Sequence, residues 1–398
     1  MNSRPDDAPS RLCGLVLGTF VDNLLISKAW PLVSAVDADL SWLIDHESCP
    51  GRQKKCSRPH VKGLRYDSPP AWLQRTLRRN LGKFVWAAYR SFRPDCRLVI
   101  SYYIWPHGIM AALVKMLHFG RMQTVHFLIA GPYELQASSV SPSGIRRWHR
   151  FAGVIESLLL RLLRTFDHVV VMGSRSRSYL TEYGVLRTSC IPGSIDTQTF
   201  CPDEQTTRIF DLIYVGRIDP NKNQATLLAV MHRLLPRFPD LRVACVGWDP
   251  GGAKARFSPS QDDVAALAAR LGIAEHLELI PFTSEVAPLL RQARIYIQTS
   301  FNEGLSNSLR EAMACGLPVV ASDVGDTIDV VVQGQTGLLV HDPTDIESYV
   351  EAISSLLADE AARLRMGQEA RKLIVATHSR EAETSAHRRL FRDLHSQS

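Results

Sequence analysis

Short apolar runs rich in valine and isoleucine alternate with longer helical stretches along nearly the whole chain, and the alternation occurs twice. In the first half the strand-like runs are 13–18, 97–101, 122–128, 168–172 and 188–192. In the second half they are 210–216, 241–247, 277–282, 293–299, 318–322 and 336–340, with helical patterns over 222–236, 261–271 and 344–358. A strand that is apolar on both sides has both faces covered, and a helix between successive strands makes the connection a crossover. Together these predict parallel sheets coated by helices on each face. The chain is therefore read as α/β, with two doubly wound domains. Periodicity is lost and Pro, Gly and polar residues cluster at "PGSIDTQTFCPDEQTTR", 192–208, which places the break there.

A chain of 398 residues fits two domains and can bury a large core. No stretch reaches eighteen uninterrupted apolar residues, so a spanning helix is not expected. The first apolar run, "LCGLVLGTFV" at 12–21, reads as a first strand, not as a targeting segment. The eight cysteines are scattered without a C-x-x-C pair, which favours a reduced cytosolic chain and no metal site. Net charge is +6, but it is unevenly spread. Residues 1–200 carry 26 Lys and Arg against 14 Asp and Glu, a balance of +12, and the remainder has 20 against 26, a balance of −6. A basic half suits nucleic acid, an anionic membrane surface or a phosphorylated substrate. The basic residues form no recognisable nucleic-acid reading motif, so nucleic acid is not expected.

Two N-terminal segments, 72–93 and 145–166, interleave Arg and Lys with Trp, Phe and Leu. They are expected to lay an apolar face on the sheet and to turn a basic face outward, toward solvent or anionic lipid headgroups. Residues 46–70, basic and containing Pro and Gly, are expected to form a loop.

Chemistry concentrates in the second half, where strands end and helices begin. In "YVGRIDPNKNQATLL", 214–228, Gly216 lets the chain approach a ligand, and Arg217 and Lys222 place two cations near a helix start. A planar fork and a point charge together suit a diphosphate. In "FNEGLSNSLREAMACG", 301–316, a polar turn leads into a helix with a Ser/Asn start and a Gly stop. The first-turn amides around Ser306, Asn307 and Ser308 would form an anion site. Glu303 stands before that helix and Glu311 inside it. Eight residues of one helix would turn them about 80° apart, so they do not read as a proton-sharing pair. Separate jobs at the two ends of a hydroxyl-rich ligand fit better.

These segments resemble the retaining glycosyltransferases of family 4, whose GT-B fold sets two Rossmann-like domains face to face across a cleft. "EGLSNSLREAMACGLPVVASD" looks like that family's pair of glutamates, and "VGRIDPNKN" looks like its Gly-Arg…Lys element. The resemblance implies an acceptor-binding domain over 1–200, a nucleotide-sugar-binding domain over 201–378, and a helix at 379–398 crossing back. It implies that Arg217 and Lys222 stabilise the departing diphosphate, with Gly216, Gly304, Leu305, Ser306 and Asn307 around the donor. Glu303 would bind the transferred sugar, Glu311 the ribose and His126 the sugar, and Glu134 would lie on the acceptor side. It implies no cofactor or metal, a glycan or lipid-linked acceptor, and a place in the cytoplasm or on the inner membrane face. The sequence departs from the family at "GTFVDNLLISKAW", 18–30, and where Gly325-Asp326 and Asp329 replace Gly-Gly and a later Glu. Two rival readings are a sugar-nucleotide epimerase on the same fold and a non-catalytic nucleotide-sugar-binding subunit.

Overall fold

The computed structural model describes residues 12–18, 31–35, 38–43, 64–70, 73, 77, 79–135, 152–247 and 259–396. Two parallel sheets carry the fold. The first contains β1 (Leu12–Leu17), β2 (Ala38–Leu43), β3 (Leu64–Asp67), β4 (Cys96–Tyr102), β5 (Gln123–Leu128), β6 (His168–Val171) and β7 (Thr188–Cys190), in the order β3-β2-β1-β4-β5-β6-β7. The second contains β8 (Phe210–Val215), β9 (Val243–Val246), β10 (Leu277–Ile280), β11 (Ala293–Gln298), β12 (Val319–Ser322) and β13 (Gly337–Val340), in the order β10-β9-β8-β11-β12-β13. Each sheet reverses its strand order once, between β1 and β4 and between β8 and β11. Such a reversal splays the following loops apart and opens a crevice at the strand ends.

The inner strands are buried on both sides, as their apolar runs require. In β1, Leu15 and Leu17 face one core cluster and Val16 the other. In β11, Ile295 and Ile297 face one cluster and Tyr296 the opposite one. Helix starts follow local chemistry. Ser260 and Asp263 form a capping box at Gln261–Arg270, and Ser306 caps Asn307–Ala314, which Gly316 ends at φ 78°. The last helix, Arg380–Ser396, places Leu390, Phe391 and Leu394 against Val16, Ile100 and Val125 of the first sheet.

Two elements differ from the sequence expectation. β2 and β3 were not foreseen, and β3 lies inside the segment 46–70 read as a loop. β3 is a four-residue edge strand whose Arg65 is exposed, so it presents no continuous apolar run. Residues 46–63 lie outside the described residues. The helix read over 222–236 begins later, at Gln224, because Asp219 caps a separate turn at Pro220–Lys222 and Asn223 takes a left-handed conformation at φ 53°. The helices within 72–93 and 145–166 run over Arg79–Ser91 and Ala152–Leu163, and residues 145–151 lie outside the described residues.

Candidate functional site

The loops after β8 and β11 meet at the switch point of the second sheet and are stitched together by one backbone and two side-chain-to-backbone hydrogen bonds. Phe301 N donates to Asn221 O at 2.8 Å, Asn221 Nδ2 donates to Asn302 O at 2.7 Å, and Thr299 Oγ1 donates to Asn223 O at 3.0 Å. This zipper brings Lys222 Nζ to 2.5 Å from Glu303 Oε1, which also accepts from Ser300 Oγ at 2.6 Å. Both side chains are largely buried, so each charge is stabilised by the other in a poorly screened setting. Arg217, two residues past the end of β8, pairs with Asp219 at 3.1 Å and stays half exposed. Gly216 sits where a Cβ would meet Tyr214 Oη at 2.8 Å.

The helix Asn307–Ala314 points its N-terminus into the same crevice. Ser306 Oγ accepts from Leu309 N at 3.4 Å, and Leu305 is buried beneath the turn. Asn307 Oδ1 accepts from Arg310 Nη2 at 2.6 Å, so the Asn307 side chain is engaged within the helix. Arg310 is fully buried, and its guanidinium also donates to Gly193 O in the inter-domain connection. Glu311 is half-buried, and desolvation pushes its pKa up to about 7 although Arg310 pulls it down. Glu303 and Glu311 thus occupy different environments. One is ion-paired on a loop and the other desolvated on a helix.

The first domain closes the crevice from the other side. A Cβ on Gly304 would lie 2.9 Å from Ile129 O, and one on Gly131 would lie 2.6 Å from Ser176 Oγ. Asp326 accepts from Ser176 N at 2.9 Å and from Ser176 Oγ at 2.5 Å. Asp329 accepts from Ser174 N at 2.5 Å and also from Ser174 Oγ. Arg175 pairs with Asp323 at 2.7 Å. The three carboxylates meet the N-terminus of Ser174–Glu182, where the helix dipole favours negative charge. Burial pushes the Asp326 carboxyl up against the pull of these donors, whereas the Arg175 guanidinium holds Asp323 low.

His126 and Glu134 lie deeper than the sequence suggested. His126 is fully buried in β5, its Nδ1 2.9 Å from Ser101 Oγ. Its Nε2 has no hydrogen-bond partner among the described residues. Burial, reinforced by the nearby His107, lowers its pKa to about 3 and keeps the ring neutral. Gly108 covers it so closely that a Cβ there would lie 3.0 Å from His126 Cε1. Ligand contact would therefore require the segment Ile104–Gly108 to shift. Glu134 accepts from Ile104 N at 3.0 Å and Ala130 N at 2.6 Å, tying the loop after β4 to the loop after β5. The structure thus groups Gly216, Arg217, Lys222, Glu303, Gly304, Leu305, Ser306, Asn307 and Glu311 in one crevice and leaves His126 and Glu134 beneath its wall.

Glu134 gives a pH prediction. Desolvation raises its folded pKa from 4.5 to about 7, more than its amide donors lower it. A raised carboxyl pKa contributes stability that is fully present below the unfolded value and lost as pH rises through about 7. The difference corresponds to about 3 kcal/mol. Melting the protein and Glu134→Gln between pH 5 and pH 8.5 checks this: the wild type is expected to lose stability over that range and the variant to lose distinctly less.

Sequence reasoning missed the seam. Ser174, Ser176 and Asp323 carry no motif of their own in the sequence, and Asp326 and Asp329 enter it only as departures from the family pattern. Only "GSRSRS" after a strand hinted at an anion-accepting helix start, and its anions lie about 150 residues away.

Residues 204–373 match the family model described as glycosyl transferases group 1. Among curated proteins, the chain is 29% identical over 291 residues to alpha-maltose-1-phosphate synthase of Mycolicibacterium smegmatis, covering 67% of this chain and 71% of that protein. It is 35% identical over 163 residues to D-inositol 3-phosphate glycosyltransferase of Corynebacterium glutamicum, covering 39% of this chain and 37% of that one. The crystal structure of Anabaena Alr3699/HepE in complex with UDP superposes with a TM-score of 0.71 at 14% identity, over 98% of this chain and 100% of that one. With its two doubly wound sheets facing each other across the seam, the chain has the GT-B fold, and its C-terminal half matches the glycosyl transferases group 1 family.

Proposed function

We propose that the chain is a retaining, metal-independent glycosyltransferase of family 4. It would move a sugar from a UDP- or GDP-sugar to a glycan, polysaccharide or lipid-linked acceptor. The observation that carries this reading is the Lys222–Glu303 pair at the β8/β11 switch point, beside the N-terminus of Asn307–Ala314. In the absence of donor the two groups neutralise each other. A nucleotide-sugar separates their roles: Lys222 turns to the diphosphate with Arg217, and Glu303 accepts from sugar hydroxyls. Glu311, one turn into the helix, accepts from the ribose. Amides around Leu305 to Asn307 face the phosphates and add the helix dipole. UDP in the Anabaena neighbour supports a nucleoside diphosphate as the ligand class.

In the transfer, the bond between the anomeric carbon and the diphosphate oxygen breaks. A bond to the acceptor oxygen forms on the same face. The acceptor proton passes to the departing diphosphate, so no protein base is required. Two cations and a helix N-terminus are placed where negative charge develops, which makes the catalysis electrostatic. His126, neutral and buried, contacts the sugar only if the segment Ile104–Gly108 moves.

The test is hydrolysis and transfer with UDP-, GDP- and ADP-sugars, read by nucleoside diphosphate release and by product stereochemistry. One nucleotide class is expected to support release, with the anomeric configuration retained in the product. Absence of nucleotide-sugar binding, or an inverted product, overturns the reading. Interconversion of the donor without an acceptor would mark an epimerase.

A further inference from the structure

A guanidinium lies buried beneath the donor crevice without an ion pair. Arg310, on the helix Asn307–Ala314, is 0% exposed. Its hydrogen-bond acceptors are neutral. Nε donates to Ser306 O at 3.4 Å, Nη2 to Asn307 Oδ1 at 2.6 Å, and Nη1 to Gly193 O. Among the described residues no carboxylate lies within ion-pair distance of it, and Glu383 and Glu311 act on it only from farther away. Desolvation lowers its pKa to about 10, which leaves it charged at neutral pH. An unpaired charge is costly to bury, and an apolar side chain of the same volume is often tolerated at least as well. What arginine supplies here, and an apolar residue does not, is a planar fork that holds three acceptors at once.

Two of those acceptors, Ser306 O and Asn307 Oδ1, belong to the turn whose amides face the crevice. The third belongs to the connection between the domains, which is held residue by residue over 193–196. Gly193 O accepts from Arg310, and Ser194 N donates to Glu383 Oε2 at 2.7 Å. Ile195 N donates to His378 O at 2.8 Å, and Asp196 pairs with Arg380 at 2.8 Å. His378, Arg380 and Glu383 lie where the chain turns into the last helix, which packs on the first sheet. Of these four ties, only that of Arg310 comes from the donor crevice.

We propose that Arg310 is a positioning residue for the donor: it fixes the start of Asn307–Ala314 against the inter-domain connection, so that a nucleoside diphosphate at that helix start and the connection order each other. The proposal rests on the transferase reading above and deepens it. Arg310 touches no substrate and acts through the amides around Leu305 to Asn307. Such coupling is reciprocal. The nucleotide tightens the connection by the same free energy with which an ordered connection strengthens nucleotide binding.

The experiment measures UDP and GDP binding to the full-length protein by calorimetry, together with hydrogen exchange of the Ser194 and Ile195 amides with and without saturating nucleotide. The wild type is expected to bind one of the two nucleotides and, when it does, to slow exchange at both amides by at least about fivefold. Arg310→Met keeps an unbranched side chain and removes the fork. It is expected to lose at least about tenfold in nucleotide affinity and to raise the donor KM for hydrolysis by a similar factor, with kcat within about threefold of wild type. Saturating nucleotide should then no longer slow exchange at the connection. A residue that only supported the fold would lower the melting temperature and weaken protection with and without nucleotide alike, leaving the donor KM and the increment due to nucleotide in place. Arg310→Lys keeps the charge without the fork and is expected to stay at least about fivefold weaker than wild type. If Arg310→Met is unstable, Arg310→Lys carries the test. Wild-type affinity in a folded variant, nucleotide-induced protection that survives in it, or binding by the wild type without protection of the connection would each overturn the proposal and leave the transferase reading standing. A wild type that binds neither nucleotide overturns both.

Discussion

Lys222→Ala is expected to lower kcat/KM for sugar transfer by about 100- to 1000-fold, with the fold intact. The amine approaches Glu303 from a turn whose position is fixed twice, by the Asp219 cap and by the zipper between the β8 and β11 loops. Its removal costs the transition state a cation that needs no reorganisation to meet the developing diphosphate charge. It also leaves Glu303, among the described residues, with Ser300 Oγ as its side-chain donor, a carboxylate with uncompensated charge beside the site of an anionic leaving group. Glu303→Gln separates these contributions, since it removes the negative charge and keeps the shape. If Lys222 acts on the diphosphate, Glu303→Gln in the Lys222→Ala background recovers little. If Lys222 serves only to neutralise Glu303, the double variant recovers most of the activity. Arg217→Ala should cost less, about tenfold, because its side chain is half in solvent and already shared with Asp219. Turnover of Lys222→Ala within about threefold of wild type would remove the electrostatic role proposed for it.

The parts of this molecule that were legible in the sequence share a local cause. A strand buried on both faces writes itself as an apolar run, so β4, β5, β6 and the six strands of the second sheet could be placed from the sequence. Gly216, Arg217 and Lys222 lie within seven residues of one strand end, and Glu303 to Glu311 within thirteen of another. The neighbourhood of each was readable, although their meeting depends on β8 and β11 being adjacent. β3 was missed because a strand at the edge of a sheet needs less apolar sequence, and β2, paired on both sides by β1 and β3, because Asp39 and Ser41 interrupt its apolar run. Glu134 could be recognised as unusual but not placed. Its partners, Ile104 N and Ala130 N, are backbone groups that carry no sequence signal. The exposed apolar side of Arg79–Ser91, with Leu81, Val85 and Tyr89, was unreadable for a related reason. The helix is apolar on two sides, and periodicity cannot say which one the sheet covers.

Gly325→Ala is expected to reduce transfer by about 100-fold or more while Gly334→Ala leaves it unchanged, although both glycines have a positive φ. At Gly334, φ is 76° and a Cβ would meet nothing within 4 Å, so alanine there carries only the left-handed cost of about 1–2 kcal/mol. At Gly325, φ is 53° and a Cβ would fall 1.8 Å from Glu303 O and 2.9 Å from Gly304 O, both backbone atoms. Neither can rotate away as a side chain could, so the Glu303–Gly304 peptide must move. Its room to move is small. Asp326 N donates to Gly304 O at 2.9 Å, and Gly304 already rests on the Ile129 carbonyl of the other domain. A displacement of about 1 Å at Glu303 is enough to lose about 100-fold in a reaction that depends on positioning. The same shift pulls on Asp326 and Asp329 and so loosens the seam with Ser174 and Ser176. Small-angle scattering should then show a more open Gly325→Ala variant, and melting should show a larger loss of stability than in Gly334→Ala. Equal activity in the two alanine variants would mean that the seam does not position the Glu303 loop, because the strain common to both glycines is already subtracted by the comparison.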